Sequence, residues 1–339
     1  MKKLSEKLFE IEQLVHAIIE QGNDPLYTVI DQGKGVVRVT PTPLTKRLSS
    51  TVKNYLYPLL NQFPIHEFNP YINAFFRSVI NTNVMESIEQ QASLNKRHNR
   101  YQTDGDYPVM QELMTRMHAC VDQIRAETKS AAFRTIIYNA NRLSKKNQDG
   151  MMHYIDSLFD HYSKLIVVRI DLGYQKGNHI INQADIPKKY WQARSHFKHF
   201  LNNTRRNSLF EHLVGNIWSF EYGPEKGFHY HLILFFDGSK VRQDVILARM
   251  VGDYWVKCIV GSQGRIWNCN ANKDTYPDCG IGLIHFSDTE KREHLNQAAA
   301  YLIKIDHYVR MLTPGDGRTF GRGEILPPKT GNIGRPRSK

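Results

Sequence analysis

The chain contains no uninterrupted apolar run of about 18 residues, so no conventional membrane-spanning helix is expected. Its opening residues include Lys2, Lys3 and Lys7, but Glu10, Glu12 and Gln13 interrupt the apolar positions that follow. That pattern lacks a secretory signal core, and a cytoplasmic protein is expected. Cysteine is scarce: Cys120, Cys258, Cys269 and Cys279 are the full set, and none forms a Cys-x-x-Cys pair. Reduced thiols follow, because a zinc set of Cys258, Cys269, Cys279 and His285 would have spacings too wide for a ribbon or finger. The Gly-x-x-x-x-Gly-Lys-Ser/Thr pattern of a phosphate-binding loop is also missing. Any helicase that works with this protein must therefore be a separate partner.

What is present is positive charge. Against 33 acidic residues stand 45 lysines and arginines, a net charge of +12 that suits a polyanionic partner. Residues 1–150, 151–312 and 313–339 each carry a net +4, so the last stretch is by far the densest.

Hydrophobic periodicity divides the chain into a helical region over 1–150 and a mixed region over 151–312. Leu4, Leu8, Ile11, Val15, Ile18 and Ile19 recur at helical spacing. A hairpin over 26–40 and helices over about 44–62, 72–80, 109–129 and 131–146 follow, with a polar loop over 92–108. Asn147-Gln148-Asp149-Gly150 closes the region. Beyond it the order is a short helix (151–162), strand (164–172), helix (187–206), two strands (214–222 and 228–236), helix (240–260), strand (280–286) and a long helix (289–311). This β-α-β-β-α-β-α order predicts an α+β domain of ferredoxin-like, split β-α-β plan: an antiparallel sheet plus one added helix. From Thr313 the Gly-, Pro- and Arg-rich composition predicts a disordered basic tail.

Two stretches in the mixed region carry chemistry. In Phe228-His229-Tyr230-His231, alternate strand positions put both imidazoles on one face, where they can share an ion, and send Tyr230 to the other. Phe228, Leu232, Leu234 and Phe236 are read as continuing the histidine face or anchoring the strand ends. Glu221, on the preceding strand, supplies a carboxylate for a two-histidine, one-carboxylate set. Glu225 ranks second because it falls in the turn, and Asp171 ends the first strand near enough to assist the metal or contact nucleic acid. The second stretch is Tyr301-Leu302-Ile303-Lys304, where a spacing of three places Tyr301 and Lys304 on one helical face. A phenol titrates near 10, and a neighbouring ammonium favours the phenolate a nucleophile requires. Tyr254 and Lys257 repeat the spacing and form a rival pair, and Tyr308 lies two turns beyond Tyr301. On the helix over 187–206, Lys188, Lys189, Arg194, Lys198, Arg205 and Arg206 interleave with Tyr190, Trp191 and Phe197. That pattern suits DNA phosphates and bases, or equally an amphipathic helix whose aromatics face a core.

The ordered combination of His229-Tyr230-His231 and Tyr301-Leu302-Ile303-Lys304 on this fold order resembles the HUH endonuclease superfamily of rolling-circle replication initiators. The fuller stretches Trp218–Gly223 and His231–Gly238 are similar to the inovirus-type replication proteins, including the prophage family called the YagK/YfjJ C-terminal domain. The resemblance implies that His229, His231 and Glu221 hold Mg²⁺ or Mn²⁺, that Tyr301 attacks the scissile phosphate, and that Lys304 supports the phenolate. A 5′-phosphotyrosine and a free 3′-hydroxyl would result. The implied partners are single-stranded DNA at a phage or prophage replication origin and a host helicase. A non-catalytic prophage DNA-binding regulator on the same fold, or a mobilisation relaxase, would share these features.

Overall fold

A computed structural model describes residues 4–31, 37–62, 66–97, 107–175, 185–223, 226–311 and 318–327. It divides the chain into two compact units, residues 1–142 with 308–310, and residues 143–307 with 311–339.

The first unit is mainly helical: α1 (Leu4–Glu20), the hairpin β1 (Tyr27–Asp31) and β2 (Val37–Pro41), α2 (Pro43–Gln62), the short β3 (His66–Phe68), α3 (Pro70–Asn81), α4 (Val84–Arg97) and α5 (Tyr107–Lys129). The expected loop over 92–108 is corrected at both ends, where α4 continues to Arg97 and α5 opens at Tyr107; residues 98–106 lie outside the described residues. Asn69 starts α3: its side-chain oxygen accepts the Ile72 N–H at 2.9 Å, and Pro70 fills the first helical position. Ile11, Ile18, Val52, Phe75, Met117 and Ile124 are fully or almost fully buried in one apolar core.

The chain enters the second unit within α6 (Ala131–His161), a single 31-residue helix. A break at 147–150 is therefore corrected. Gly150 in a helix interior costs about 1 kcal/mol relative to alanine, which burial of Met151, Tyr154, Ile155, Leu158 and Phe159 outweighs. Next come β4 (Lys164–Tyr174), α7 (Ile186–Asn203), β5 (Leu213–Gly223), β6 (Gly227–Asp237), α8 (Asp244–Tyr254) with a π-helical extension over Trp255–Val260, β7 (Gly264–Asn268), β8 (Gly282–His285), α9 (Thr289–Tyr308), β9 (Val309–Met311) and β10 (Phe320–Arg322). β9 pairs with β3.

The sheet runs β10-β5-β6-β4-β7, with β8 on the other end of the same β4 edge as β7, and every pairing is antiparallel. Strands β4 and β5 are joined through α7, with β6 between them. The reading of 313–339 as a disordered tail is corrected over its middle, since Phe320–Arg322 extends the sheet along β5. Glycine at 321 permits this approach: a Cβ there would lie 2.4 Å from the Trp218 ring.

Strand alternation gives the sheet two distinct faces. On one, Tyr230 stacks on Phe197 of α7 at 3.8 Å between centroids and on Phe220 at 4.4 Å. Gly252 of α8 packs against Ile170 and Ile266 on that same face. On the other face, Leu165, Val167, Ile217, Ile233 and Phe235 pack with the second half of α6 and with Leu295, Ala299 and Leu302 of α9. Period two assigns Phe228, Leu232, Leu234 and Phe236 to the α7 side, away from the histidines, correcting the expectation that they continue the histidine face.

Between the segments of β4 that pair with β7 and β8, a side chain replaces a strand. Asn270 Oδ1 accepts the Arg169 N–H at 2.8 Å, and its Nδ2 donates to the Val167 carbonyl and to Asp244 Oδ2, both at 2.9 Å. Lys273 closes the network on Asp244 at 2.9 Å. Asn270→Ala leaves buried backbone groups unpaired and is expected to destabilise this unit by about 2–4 kcal/mol. Urea unfolding followed by tryptophan fluorescence checks this, since all four tryptophans lie in the second unit. A loss below about 0.5 kcal/mol would contradict the assignment.

Candidate metal centre

His229 and His231 project from β6, the most buried strand of the sheet, and are only 6% and 7% exposed. Glu221 stands directly across from His229 on β5, and Ser219 across from His231. One suitable donor atom from each of Glu221, His229 and His231 lies within 4.8 Å of the others. Glu221 Oε2 is 3.7 Å from His229 Nε2 and 3.3 Å from His231 Nε2.

The outer contacts fix how these groups point. His229 Nδ1 lies 2.9 Å from the Gly227 carbonyl, which can only accept. Nδ1 therefore carries the proton and Nε2 keeps its lone pair for a ligand. Gly227 adopts φ 64°, a conformation that favours glycine. His231 Nδ1 donates to Asp171 Oδ1 at 2.6 Å across the β4–β6 ladder, where the two residues are paired. Ser219 donates to Glu221 Oε1 at 3.1 Å, leaving Oε2 for the imidazoles. A carboxylate or carbonyl behind each imidazole, and a hydroxyl behind the carboxylate, is the usual support of a metal ligand set.

Burial and charge act against each other here. Burial pulls the His229 imidazole down, and the neighbouring His231 adds to this, to about 4, so it is neutral. Burial also works to lower His231, but Glu221 and the hydrogen bond to Asp171 outweigh it and raise it to about 9. Burial would raise the carboxyls of Glu221 and Asp171; His231 overrides it and holds both below their ordinary range. The cluster without metal thus pairs two carboxylates with one imidazolium. A divalent cation fits once that imidazolium releases its proton. Two nitrogen donors favour Mn²⁺ or another transition ion over Mg²⁺, which prefers oxygen.

The rival tyrosines fall on opposite faces of the sheet. Tyr301 lies on α9, two positions from the buried Ala299, and is 52% exposed. Its ring centroid is 6.0 Å from the Arg169 guanidinium. Arg169 is two residues from Asp171 on β4 and so shares its face, and its Nε is buried with no hydrogen-bond partner. Tyr254 sits on the α7 side, packed against Phe200 and Phe210, its hydroxyl accepting from Asn203 at 2.8 Å. Lys257 pairs with Asp253 at 3.0 Å. Lys304 belongs to α9, but its side chain, like that of Tyr308, lies outside the described residues, as does Glu225.

The basic set on α7 is not gathered at this centre. Lys188, Lys189, Arg194 and Lys198 ride on the helix of the opposite face, and Arg205 and Arg206 follow its end. Arg194 donates to the Arg318 carbonyl at 2.6 Å. Tyr190 and Phe197 face the core, whereas Trp191 is exposed. The cysteines form no zinc set: Cys258 is exposed, Cys269 buried and Cys279 half-buried. Among the described residues, the donor cluster able to share an ion is Glu221, His229 and His231. Sequence reasoning missed Arg169, hidden as one charge within the apolar run Leu165–Ile170, and Trp267, on the short β7.

The family described as the YagK/YfjJ C-terminal domain matches residues 126–323, more than half of the chain, and the chain belongs to it. No curated protein and no solved structure matches.

Calorimetric titration with Mn²⁺ at pH 7, in buffers of different ionisation enthalpy, should show about one proton released per ion bound, from His231. Asp171→Asn should weaken Mn²⁺ binding about 10- to 100-fold. Binding without proton release, or unchanged in the variant, would contradict the arrangement.

Proposed function

We propose that this member of the YagK/YfjJ C-terminal domain family is a metal-dependent endonuclease and strand transferase of the HUH type. On this reading it nicks and rejoins single-stranded DNA at a phage or prophage replication origin. The observation that carries the reading is the shared sheet face: Glu221, His229 and His231 converge on the face against which α9 packs, and Tyr301 of α9 lies beside Arg169 of that face. The antiparallel order β8-β4-β6-β5, with α7 and α8 on the opposite face, supports a ferredoxin-like core.

His229, His231 and Glu221 would hold the ion, with Asp171 and the Gly227 carbonyl orienting the imidazoles. A bound divalent cation supplies Lewis-acid polarisation of a phosphoryl oxygen. The Tyr301 hydroxyl loses its proton to solvent, and its oxygen attacks phosphorus. The new bond joins that oxygen to phosphorus, and the bond from phosphorus to the 3′-oxygen breaks. The strand bearing the 5′-phosphate is left on Tyr301, and the departing oxygen takes a proton to become a 3′-hydroxyl. Attack by a 3′-hydroxyl reverses these bond changes and rejoins the strand. Arg169, beside the Tyr301 ring, offers a guanidinium to the phenolate and to charge building on the phosphoryl oxygens. Lys304 is assigned the same supporting role, and the basic residues on α7 are assigned to DNA outside the cleavage centre.

Incubation with single-stranded origin-region oligonucleotides and Mn²⁺ should yield a covalent protein–DNA adduct on a denaturing gel. Tyr301→Phe should abolish the adduct, Tyr254→Phe should retain it, and Arg169→Ala should slow its formation about 10²- to 10³-fold. An adduct unchanged in Tyr301→Phe would overturn the nucleophile. No adduct with any metal or sequence would favour a DNA-binding regulator.

A further inference from the structure

A second feature of the site lies on the β7 side of β4. Trp267 pairs with Asp171 and Arg265 with Gly173, so both side chains share the face of the metal centre. With Lys226 and His229 they line a cavity of about 210 Å³ that also reaches Asp171. Trp267 is 51% exposed although it stands directly beside the partly buried Asp171. Arg265 and Lys226 give the rim positive charge, and Lys226 lies 3.8 Å from Asp171 Oδ2. A half-exposed indole that shares a cavity with Arg265 and Lys226 suits a flat aromatic ligand that carries phosphates.

We propose that Trp267 is a stacking platform for the nucleobase adjoining the phosphodiester at the metal centre, with Arg265 and Lys226 meeting the neighbouring phosphates. This rests on the reading that single-stranded DNA is the substrate. It adds a subsite that selects unpaired DNA, because the face of a base can stack on the indole only when the base has left its duplex stack.

The test uses the full chain carrying Tyr301→Phe, with fluorescein-labelled (dT)₁₂ and EDTA, so that binding is read without cleavage. Trp267→Ala should raise the Kd about 5- to 150-fold, the range for losing one base stack. Trp267→Phe keeps an aromatic face and should bind within about threefold of the parent. It should also lose the tryptophan quenching that accompanies binding, a readout that does not depend on the alanine variant folding. Binding by Trp267→Ala equal to that of the parent, or quenching that persists in Trp267→Phe, would overturn the platform. Adduct formation by the wild-type chain with Mn²⁺ is scored separately. Trp267-dependent binding without any adduct supports the platform and overturns the chemistry, whereas an adduct with Trp267-independent binding does the reverse. No binding of (dT)₁₂ by any form overturns both.

Discussion

The second unit depends on one buried arrangement: a carboxylate, Glu221, set between two imidazoles on the central strands of a sheet. Removing that carboxylate from water is costly unless charge and hydrogen bonds compensate it. Here they do. His231 carries a proton between Glu221 and Asp171, and Ser219 donates to the remaining Glu221 oxygen. The set is assembled by register alone, with Glu221 opposite His229 and Asp171 opposite His231. A one-residue slip of β6 would turn both histidines to the other face and put Tyr230 in their place. Since Tyr230 is stacked tightly on Phe197, that slip would dismantle the aromatic core as well. The apolar packing of one face thereby holds the chemistry of the other in position.

The two faces divide the work. Helices α7 and α8 cover one with aromatic residues, and Tyr254 and Trp255 are part of that packing. The other is covered only in part, by α6 and α9, and where that cover ends lie the imidazoles, Arg169, Tyr301 and Trp267. Potential ligand groups thus gather at the margin of a packed layer that holds their side chains. Arg169 is notable there: its Nε is buried without a hydrogen-bond partner beside a half-exposed tyrosine. An unsatisfied buried donor is costly, and a phosphate oxygen is one group able to satisfy it.

Much of this was legible in the sequence because the signals were periodic. The alternation of His229 and His231 identified a shared strand face, and the hairpin suggested Glu221 as their partner. The resemblance pointed to Tyr301 while spacing alone left Tyr254 as a rival, and the structure puts the two tyrosines on opposite faces of the sheet. What escaped was set by tertiary contact. Residues Gly264–Asn268 are too few for a period to stand out, so β7 and Trp267 were passed over. Asn270 acts as a strand surrogate that no local pattern reveals. The pairing of Phe320–Arg322 uses backbone groups and a glycine that fits under Trp218, so composition alone read that segment as disordered. The basic helix α7 was the ambiguous case: charge and aromatics at one spacing fit a DNA surface or a core, and Tyr190 and Phe197 belong to the core.

The central claim is that Glu221, His229 and His231 hold a divalent cation on the face against which α9 packs. The most direct measurement is anomalous scattering from crystals of the full chain grown with Mn²⁺. One anomalous peak among the Nε2 atoms of His229 and His231 and the carboxylate of Glu221, with the Asp171–His231 hydrogen bond retained, is the predicted result. Manganese bound elsewhere, with His231 still bridging Glu221 and Asp171 as an imidazolium, would contradict it.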